Sequence, residues 1–101
     1  MARAVKLGIV LATRADVFHA HAIALAARRA GHEVAMFAMD AGCRALAEQS
    51  AIARQLLDDD VEITTCSNSA VGVELIEGVA RGSQDDHAAL VATSDRVVAF
   101  T

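Results

Sequence analysis

Apolar runs alternate with amphipathic segments along the first part of the chain. Residues 5–12 and 32–39 are almost unbroken apolar runs, which is typical of strands buried on both faces of a parallel sheet. Residues 17–30 between them are rich in alanine and leucine, which favours a helix. Gly31 follows as a natural helix end. The pattern therefore predicts a strand, a helix and a second strand.

A second helical pattern follows Asp40, which is a suitable capping residue. It begins near Gly42 or Cys43, is expected to break near Ser50, and ends at the acidic run 58–60. The remaining predicted elements are a strand at 61–66, a helix capped by Ser67 or Ser69 and running to about Glu77, a short strand at 79–82, a helix opened by a capping box of Ser83 and Asp86 and running to about Ala92, and a strand at 96–100.

The strand at 61–66 differs from the others because apolar and polar residues alternate along most of it. Its two faces are Val61, Ile63 and Thr65, and Glu62, Thr64 and Cys66. Cys66 therefore shares a face with polar side chains and stands at the carboxyl end of the strand. As the most polar of the five, this strand suits an edge of the sheet.

Strands and helices alternate throughout, with short connections. This order predicts one domain, residues 1–101, in which a parallel sheet is covered by helices on both faces and joined by right-handed crossovers.

Composition narrows the function. The 101 residues include only 3 aromatic side chains, and much of the apolar content is alanine, so we expect further apolar surface to be buried between subunits. The net charge is −4 with scattered basic residues, which argues against nucleic acid as a partner. No apolar run is long enough for a membrane span. We expect a cytoplasmic protein whose 2 cysteines stay reduced.

Cys66 is the strongest candidate for chemistry. A thiol at the carboxyl end of a strand, just before a predicted helix, lies where α/β proteins usually place their sites. Amides at the start of that helix would favour the thiolate, which is the nucleophile. Ser67, Asn68 and Ser69 add small polar groups suited to holding an anionic sulfur or a persulfide. The alternative is an inert cysteine that packs at a strand end.

Three further residues are weaker candidates. Cys43 also follows a strand and is either a resolving thiol or a partly buried helix residue. His19 falls within the apolar arc of the first helix, near the carboxyl edge of the sheet, and is either a proton shuttle or a packed histidine. His87 follows two aspartates in the last helix and is most simply a surface residue.

Several familiar motifs are absent. The chain has no glycine-rich dinucleotide fingerprint, no Walker sequence and no C-x-x-C pair. No cofactor and no metal site are therefore predicted.

The chain resembles the DsrE/DsrF-like family, which includes the TusD-type sulfur-relay subunits. The most specific match is Gly31-His32-Glu33-Val34 with a following Met39-Asp40-Ala41-Gly42, and the resemblance extends through residues 6–11, 61–66 and 92–100. It implies a three-layer α/β/α sandwich with a five-stranded, mainly parallel sheet. It also implies a homo-oligomer, either a trimer or a hexamer, and a persulfide carried at the position of Cys66.

Two functions are therefore expected. The first is a sulfur carrier or sulfurtransferase-like protein, in which Cys66 accepts sulfur from a donor protein and passes it to an acceptor protein. The second is a non-catalytic oligomeric protein on the same fold that binds a ligand or serves in assembly. Thiol redox sensing by Cys43 and Cys66 is a third and weaker hypothesis.

Overall fold

The computed structural model describes residues 4–101, and this part of the chain forms five strands and four helices. In chain order they are β1 (Lys6–Leu11), α1 (Val17–Arg29), β2 (Glu33–Ala38), α2 (Ala41–Glu48), α3 (Ser50–Asp58), β3 (Glu62–Cys66), β4 (Ala80–Gly82), α4 (Gln84–Thr93) and β5 (Arg96–Phe100). None of the helices in residues 4–101 is long and apolar enough to cross a membrane.

All five strands belong to one sheet, whose order is β4-β3-β2-β1-β5. Every neighbouring pair is parallel. The central pair is in register along its whole length, from Lys6 opposite Glu33 to Leu11 opposite Ala38. With helices on both faces, the predicted three-layer α/β/α sandwich is confirmed, and its sheet is entirely parallel.

Alternate strand residues point into two separate cores, one on each face of the sheet. The larger core packs strand residues such as Ile9, Met36 and Ile63 against α1, α2 and α3. The smaller core lies under α4 and consists of Val10, Ala35, Phe37, Cys66 and Leu90. The strands from β1 to β4 add in one direction, and the chain then returns to β5 at the far edge. Because such crossovers are right-handed, the reversal puts α4 on the opposite face.

Most predicted boundaries are confirmed. The break expected near Ser50 is the junction at Gln49 between α2 and α3. The capping box of α4 is also present, since the Ser83 hydroxyl accepts from the Asp85 amide and the Asp86 carboxylate accepts from the Ser83 amide. Local sequence chemistry was therefore sufficient to place these helix ends.

The helix predicted from Ser67 or Ser69 to Glu77 is wrong. Residues 67–72 form turns, and α4 is the first helix after β3. Only one helical turn forms, where the Ala70 amide donates to the Cys66 carbonyl at 2.9 Å. Gly72 then takes a positive φ of 74°, a conformation that ends a right-handed helix.

The expectation that the polar third strand lies at a sheet edge is also wrong. β3 pairs with β2 on one side and β4 on the other, and the edges are β4 and β5. Thr65 is completely buried, but its hydroxyl donates to the Ala80 carbonyl at 3.1 Å. A satisfied hydroxyl costs little inside a protein, so polarity alone did not require an edge.

Gly42, the second residue of α2, lies directly against the backbone of Leu11. A Cβ added at this position would overlap the Leu11 carbonyl oxygen and lie 2.7 Å from its carbonyl carbon. Alanine normally favours a helix over glycine by about 1 kcal/mol, but here the contact is with backbone that cannot rotate away. We therefore expect Gly42→Ala to lower the free energy of unfolding by about 2–3 kcal/mol, as measured by urea denaturation.

Gly31→Ala is the matched control for this prediction. Gly31 has a positive φ of 86° but open space around it, so alanine there costs only the left-handed conformation, about 1 kcal/mol. A Gly42→Ala protein no less stable than Gly31→Ala would contradict the close contact.

Candidate functional site

Cys66 ends β3 and lies between two neighbouring strands. It is paired with Gly82 of β4, and its side chain belongs to the core under α4, on the face that the alternation predicted. Only 5% of its surface is exposed. It nevertheless lines an open pocket of about 370 Å³, whose other lining residues are Ser67, Asn68, Gly82, Ser83, Gln84 and Asp85. The thiol is therefore recessed within a pocket that opens to solvent.

Hydrogen-bond donors around the sulfur lower the pKa of the Cys66 thiol. The backbone amide of Ser69 contributes most, followed by the side-chain amide of Gln84. Burial acts in the opposite direction and is outweighed, with the Ser69 side chain and the Asn68 amide adding smaller contributions. Donors stabilise the thiolate more than the thiol, so the site favours the nucleophilic form.

These donors come from a turn and from α4, and not from the helix that the sequence predicted after Cys66. The parallel strands β3 and β4 end at the same edge of the sheet, so the start of α4 lies beside Cys66. This brings Gln84, the first residue of α4, to the pocket. The predicted advantage for the thiolate is present, but its structural source is different.

Arg81 holds the turn in place. Its guanidinium donates to the Ala70 carbonyl at 3.1 Å and to the Val73 carbonyl at 2.8 Å. Both carbonyls belong to the segment that directly follows the donor amides of Asn68 and Ser69. A planar guanidinium with two fixed donors is well suited to fastening an irregular loop. The conformation that directs amides at the sulfur is therefore stabilised by a neighbouring strand.

Ser67 and Asn68 both line the pocket, but their hydrogen bonds have different partners. The Ser67 amide and hydroxyl both donate to the Gly82 carbonyl, at 2.9 and 2.7 Å. That hydroxyl proton therefore fastens β3 to β4 and is not directed at the sulfur. Asn68 acts on the Cys66 thiol through its backbone amide. Direct binding of substrate by either side chain stays a prediction.

Cys43 lies at the same edge of the sheet but in the other core. It is completely buried among residues of the α1–α3 side, and its thiol donates to the Ala38 carbonyl at 3.4 Å. Burial raises the pKa of the Cys43 thiol, although the nearby Cys66 amide opposes this rise. Cys43 is thus close to the backbone of Cys66, while its own sulfur lies in the core and has a disfavoured thiolate.

His19 is not part of the Cys66 pocket. The expectation that it belongs to the apolar arc of α1 is wrong, because 74% of its side chain is exposed. Its Nδ1 lies 3.3 Å from an Asp16 carboxylate oxygen at the start of the helix. The bond with His19 also helps to lower the pKa of Asp16, after the larger effect of Thr13.

Gln84 is the site residue that the sequence did not reveal. Ser69 was expected as a helix cap and as a small polar group beside the sulfur, and its largest effect comes from its backbone amide. Gln84 was overlooked because the neighbour of β3 was unknown. A pairing of the short strand at 79–82 with β3 would have brought the residues after both strands together. Gln84 could therefore be found only from the order of the strands in the sheet, which the sequence of a single segment does not give.

The arrangement provides a recessed nucleophile with neutral donors around it. Such donors suit a sulfur that is anionic in its resting or loaded form. Within residues 4–101, no group of three or more histidine, cysteine, aspartate or glutamate side chains is arranged to hold a metal ion.

Comparison with known proteins identifies a family for this chain. A family model described as the DsrE/DsrF-like family matches residues 6–100, which runs from the first residue of β1 to the last residue of β5. No curated protein shows significant similarity to the chain.

The two thiols should differ sharply in reactivity. We expect iodoacetamide to alkylate Cys66 in the folded protein, with an apparent pKa below that of an ordinary thiol, and to reach Cys43 only after denaturation. Alkylation follows the fraction of thiolate, which approaches its maximum above the thiol pKa. Because the pKa of Cys66 is lowered, its alkylation rate should level off at a lower pH than that of an ordinary thiol. Rates measured in Cys43→Ala and Cys66→Ala proteins test this, and faster alkylation of Cys43 in the native state would contradict it.

Proposed function

The chain belongs to the DsrE/DsrF-like family, and from this membership together with the site we propose that it is a sulfur carrier. Cys66 accepts sulfane sulfur from a donor, holds it as a persulfide and transfers it to an acceptor. The proposal rests on one observation, which is that the recessed Cys66 thiol opens into a pocket while neighbouring amides lower its pKa.

Loading is a simple exchange at sulfur. The Cys66 thiolate attacks the outer sulfur of a donor persulfide, R–S–SH, forming a new S–S bond as the donor's S–S bond breaks. The products are Cys66–S–SH and the donor thiolate R–S⁻, so no external oxidant or reductant is consumed. Unloading reverses this pattern, because the acceptor thiolate attacks the outer sulfur and Cys66 leaves as a thiolate.

The surrounding groups assist both steps in the same way. Cys66 is a nucleophile in loading and a leaving group in unloading, and a lower thiol pKa favours its departure. The amides of Ser69 and Asn68 stabilise the anion without reacting with it. Carrier, donor and acceptor thiols must all stay reduced between transfers, which suits the cytoplasm.

We propose further that the protein is a homo-oligomer and that a second copy covers the groove between α4 and β5. This groove has a volume of about 470 Å³, and its residues are Val10, Ala12, Met39, Asp40, His87, Val91, Val97, Ala99 and Thr101. A chain with net charge −4 repels its own copies. Asp40 is the single side-chain carboxylate among these residues, so little of that acidic charge lies in the groove. β5 beside it is an open edge strand, which natural proteins usually cover.

The same groove supports a second candidate function, namely assembly without chemistry at Cys66. Val91 and Val97 are both substantially exposed, although valine is usually buried. In this alternative the fold serves as an oligomeric scaffold, and its thiol is chemically idle.

Mass spectrometry after incubation with a low-molecular-weight persulfide distinguishes the two functions. We expect the folded protein to gain one sulfur atom that dithiothreitol removes, because dithiothreitol reduces a persulfide. Cys66→Ser should gain none, and Cys43→Ala should gain as much as wild type. Sulfur uptake by Cys66→Ser, or no uptake by wild type, would contradict the carrier function and favour the scaffold.

Sedimentation velocity tests the assembly surface. We expect Val97→Lys and Val91→Lys to shift the protein toward the monomer, since each buries a charge in an apolar contact. Val71→Lys is the matched control, because Val71 is the most exposed of the large apolar residues of the described chain at 75% and is not part of the groove. A wild-type monomer, or an equal effect of all three substitutions, would contradict an assembly at this surface.

A further inference from the structure

A chain of contacts leads from the core under α4 to the Cys66 pocket. Phe37 of β2 is completely buried, and the His87 ring stacks on it with centroids 5.2 Å apart and planes 9° from parallel. The Nδ1 atom of His87 lies 3.0 Å from Oε1 of Gln84. Gln84 in turn lines the pocket beside Cys66.

The chemistry of the Gln84 side-chain amide determines which group donates in the hydrogen bond with His87. The Gln84 oxygen can only accept a hydrogen bond, so Nδ1 of His87 must carry the proton. With its oxygen held by His87, Gln84 can turn only its NH₂ group toward the sulfur. An unfastened glutamine would be free to rotate by half a turn and present its oxygen, a group that repels a thiolate.

His87 and Gln84 are close in sequence, so their hydrogen bond forms within α4. Residues three apart on a helix are neighbours, so Gln84 and His87 lie on the same side of the first turns of α4. The simple expectation from the sequence that His87 is a surface residue is therefore incomplete, because its ring is half-buried against Phe37.

We propose that His87 is a positioning residue for Cys66, which acts by holding the Gln84 side-chain amide with its NH₂ group toward the sulfur. This inference rests on the proposed function in one respect: a reactive thiolate at Cys66 would serve sulfur transfer. It concerns the free thiol and does not require that sulfur is ever transferred.

Alkylation of Cys66 as a function of pH tests the proposal in a Cys43→Ala background. Gln84→Ala should raise the apparent pKa and slow alkylation at pH 7 by roughly three- to tenfold, as expected for one hydrogen bond to a charged group at a partly open site. His87→Phe keeps an aromatic ring against Phe37 but lacks the donor, so it should produce a similar loss. If His87→Phe does not fold, His87→Leu removes the donor in its place.

A double substitution separates positioning from an independent effect. Since His87 acts through Gln84, His87→Phe should have no further effect on the rate or the apparent pKa in a Gln84→Ala protein. His87→Asn places an amide donor near the position of Nδ1 and should recover part of the wild-type reactivity, although the ring stack is lost. A purely structural role of the stack predicts no such recovery.

The chain offers a matched control in His21. Its Nε2 lies 2.9 Å from Oε1 of Gln55. This histidine–glutamine pair joins α1 to α3, on the opposite face of the sheet from α4. His21→Phe should leave the alkylation profile of Cys66 unchanged.

Other charged or titratable groups near Cys66 could also shift its apparent pKa, so their effects must be measured separately. Asp85 lines the pocket, the Asp86 carboxylate caps α4, and Cys43 lies near the Cys66 backbone in the core on the other face of the sheet. Asp85→Asn and Asp86→Asn, measured beside the others, show whether a shift arises from these charges.

Two results would overturn the positioning role. One is an unchanged profile in His87→Phe or His87→Leu while Gln84→Ala loses reactivity. The other is a full additional loss in the double variant. Neither depends on persulfide formation, so failure of wild type to accept sulfur would contradict the carrier function while leaving this test intact.

Discussion

The parallel arrangement of the strands is the constraint on which the site depends. Parallel strands direct all their carboxyl ends to one edge of the sheet, so the residues that follow β2, β3 and β4 are gathered there although they are distant in sequence. The return from β4 to β5 then requires α4 to cross the opposite face. The first residues of α4 consequently lie beside Cys66. The His87 ring of the same helix packs on Phe37 of the central strand β2.

The environment of Cys66 is a balance between burial and hydrogen bonding. A thiol with 5% of its surface exposed would normally be less acidic, because a thiolate loses hydration when it is buried. The turn after β3 reverses this outcome by directing the Ser69 and Asn68 amides at the sulfur. Arg81 keeps that turn from rearranging through its bonds to two carbonyls. The lowered pKa of the Cys66 thiol thus depends largely on the backbone of a loop that has no regular secondary structure.

The two cysteines show how strongly the layers of a sandwich separate chemistry. Cys66 is the last residue of β3 and Cys43 lies in the helix after β2, and they are close enough that the Cys66 amide influences the Cys43 thiol. Cys43 faces the large core beneath three helices, where burial favours its neutral form. Cys66 faces the smaller core under a single helix, whose start leaves an opening. The opposite shifts of their thiol pKa values therefore follow from which face of the sheet each side chain occupies.

The sequence alone determined the strands, most helix boundaries, the capping box of Ser83 and Asp86, and the face on which Cys66 lies. All of these are set by interactions between residues a few positions apart. Tertiary structure decided the turn after Cys66, the interior position of β3 and the pairing of β3 with β4. It also decided the arrival of Gln84 and His87 at the site. These features depend on contacts between distant segments, such as the Arg81 bonds to the turn and the stack of His87 on Phe37, which no local pattern encodes. Cys66 could thus be selected from the sequence, while the groups that make it acidic were supplied by the fold.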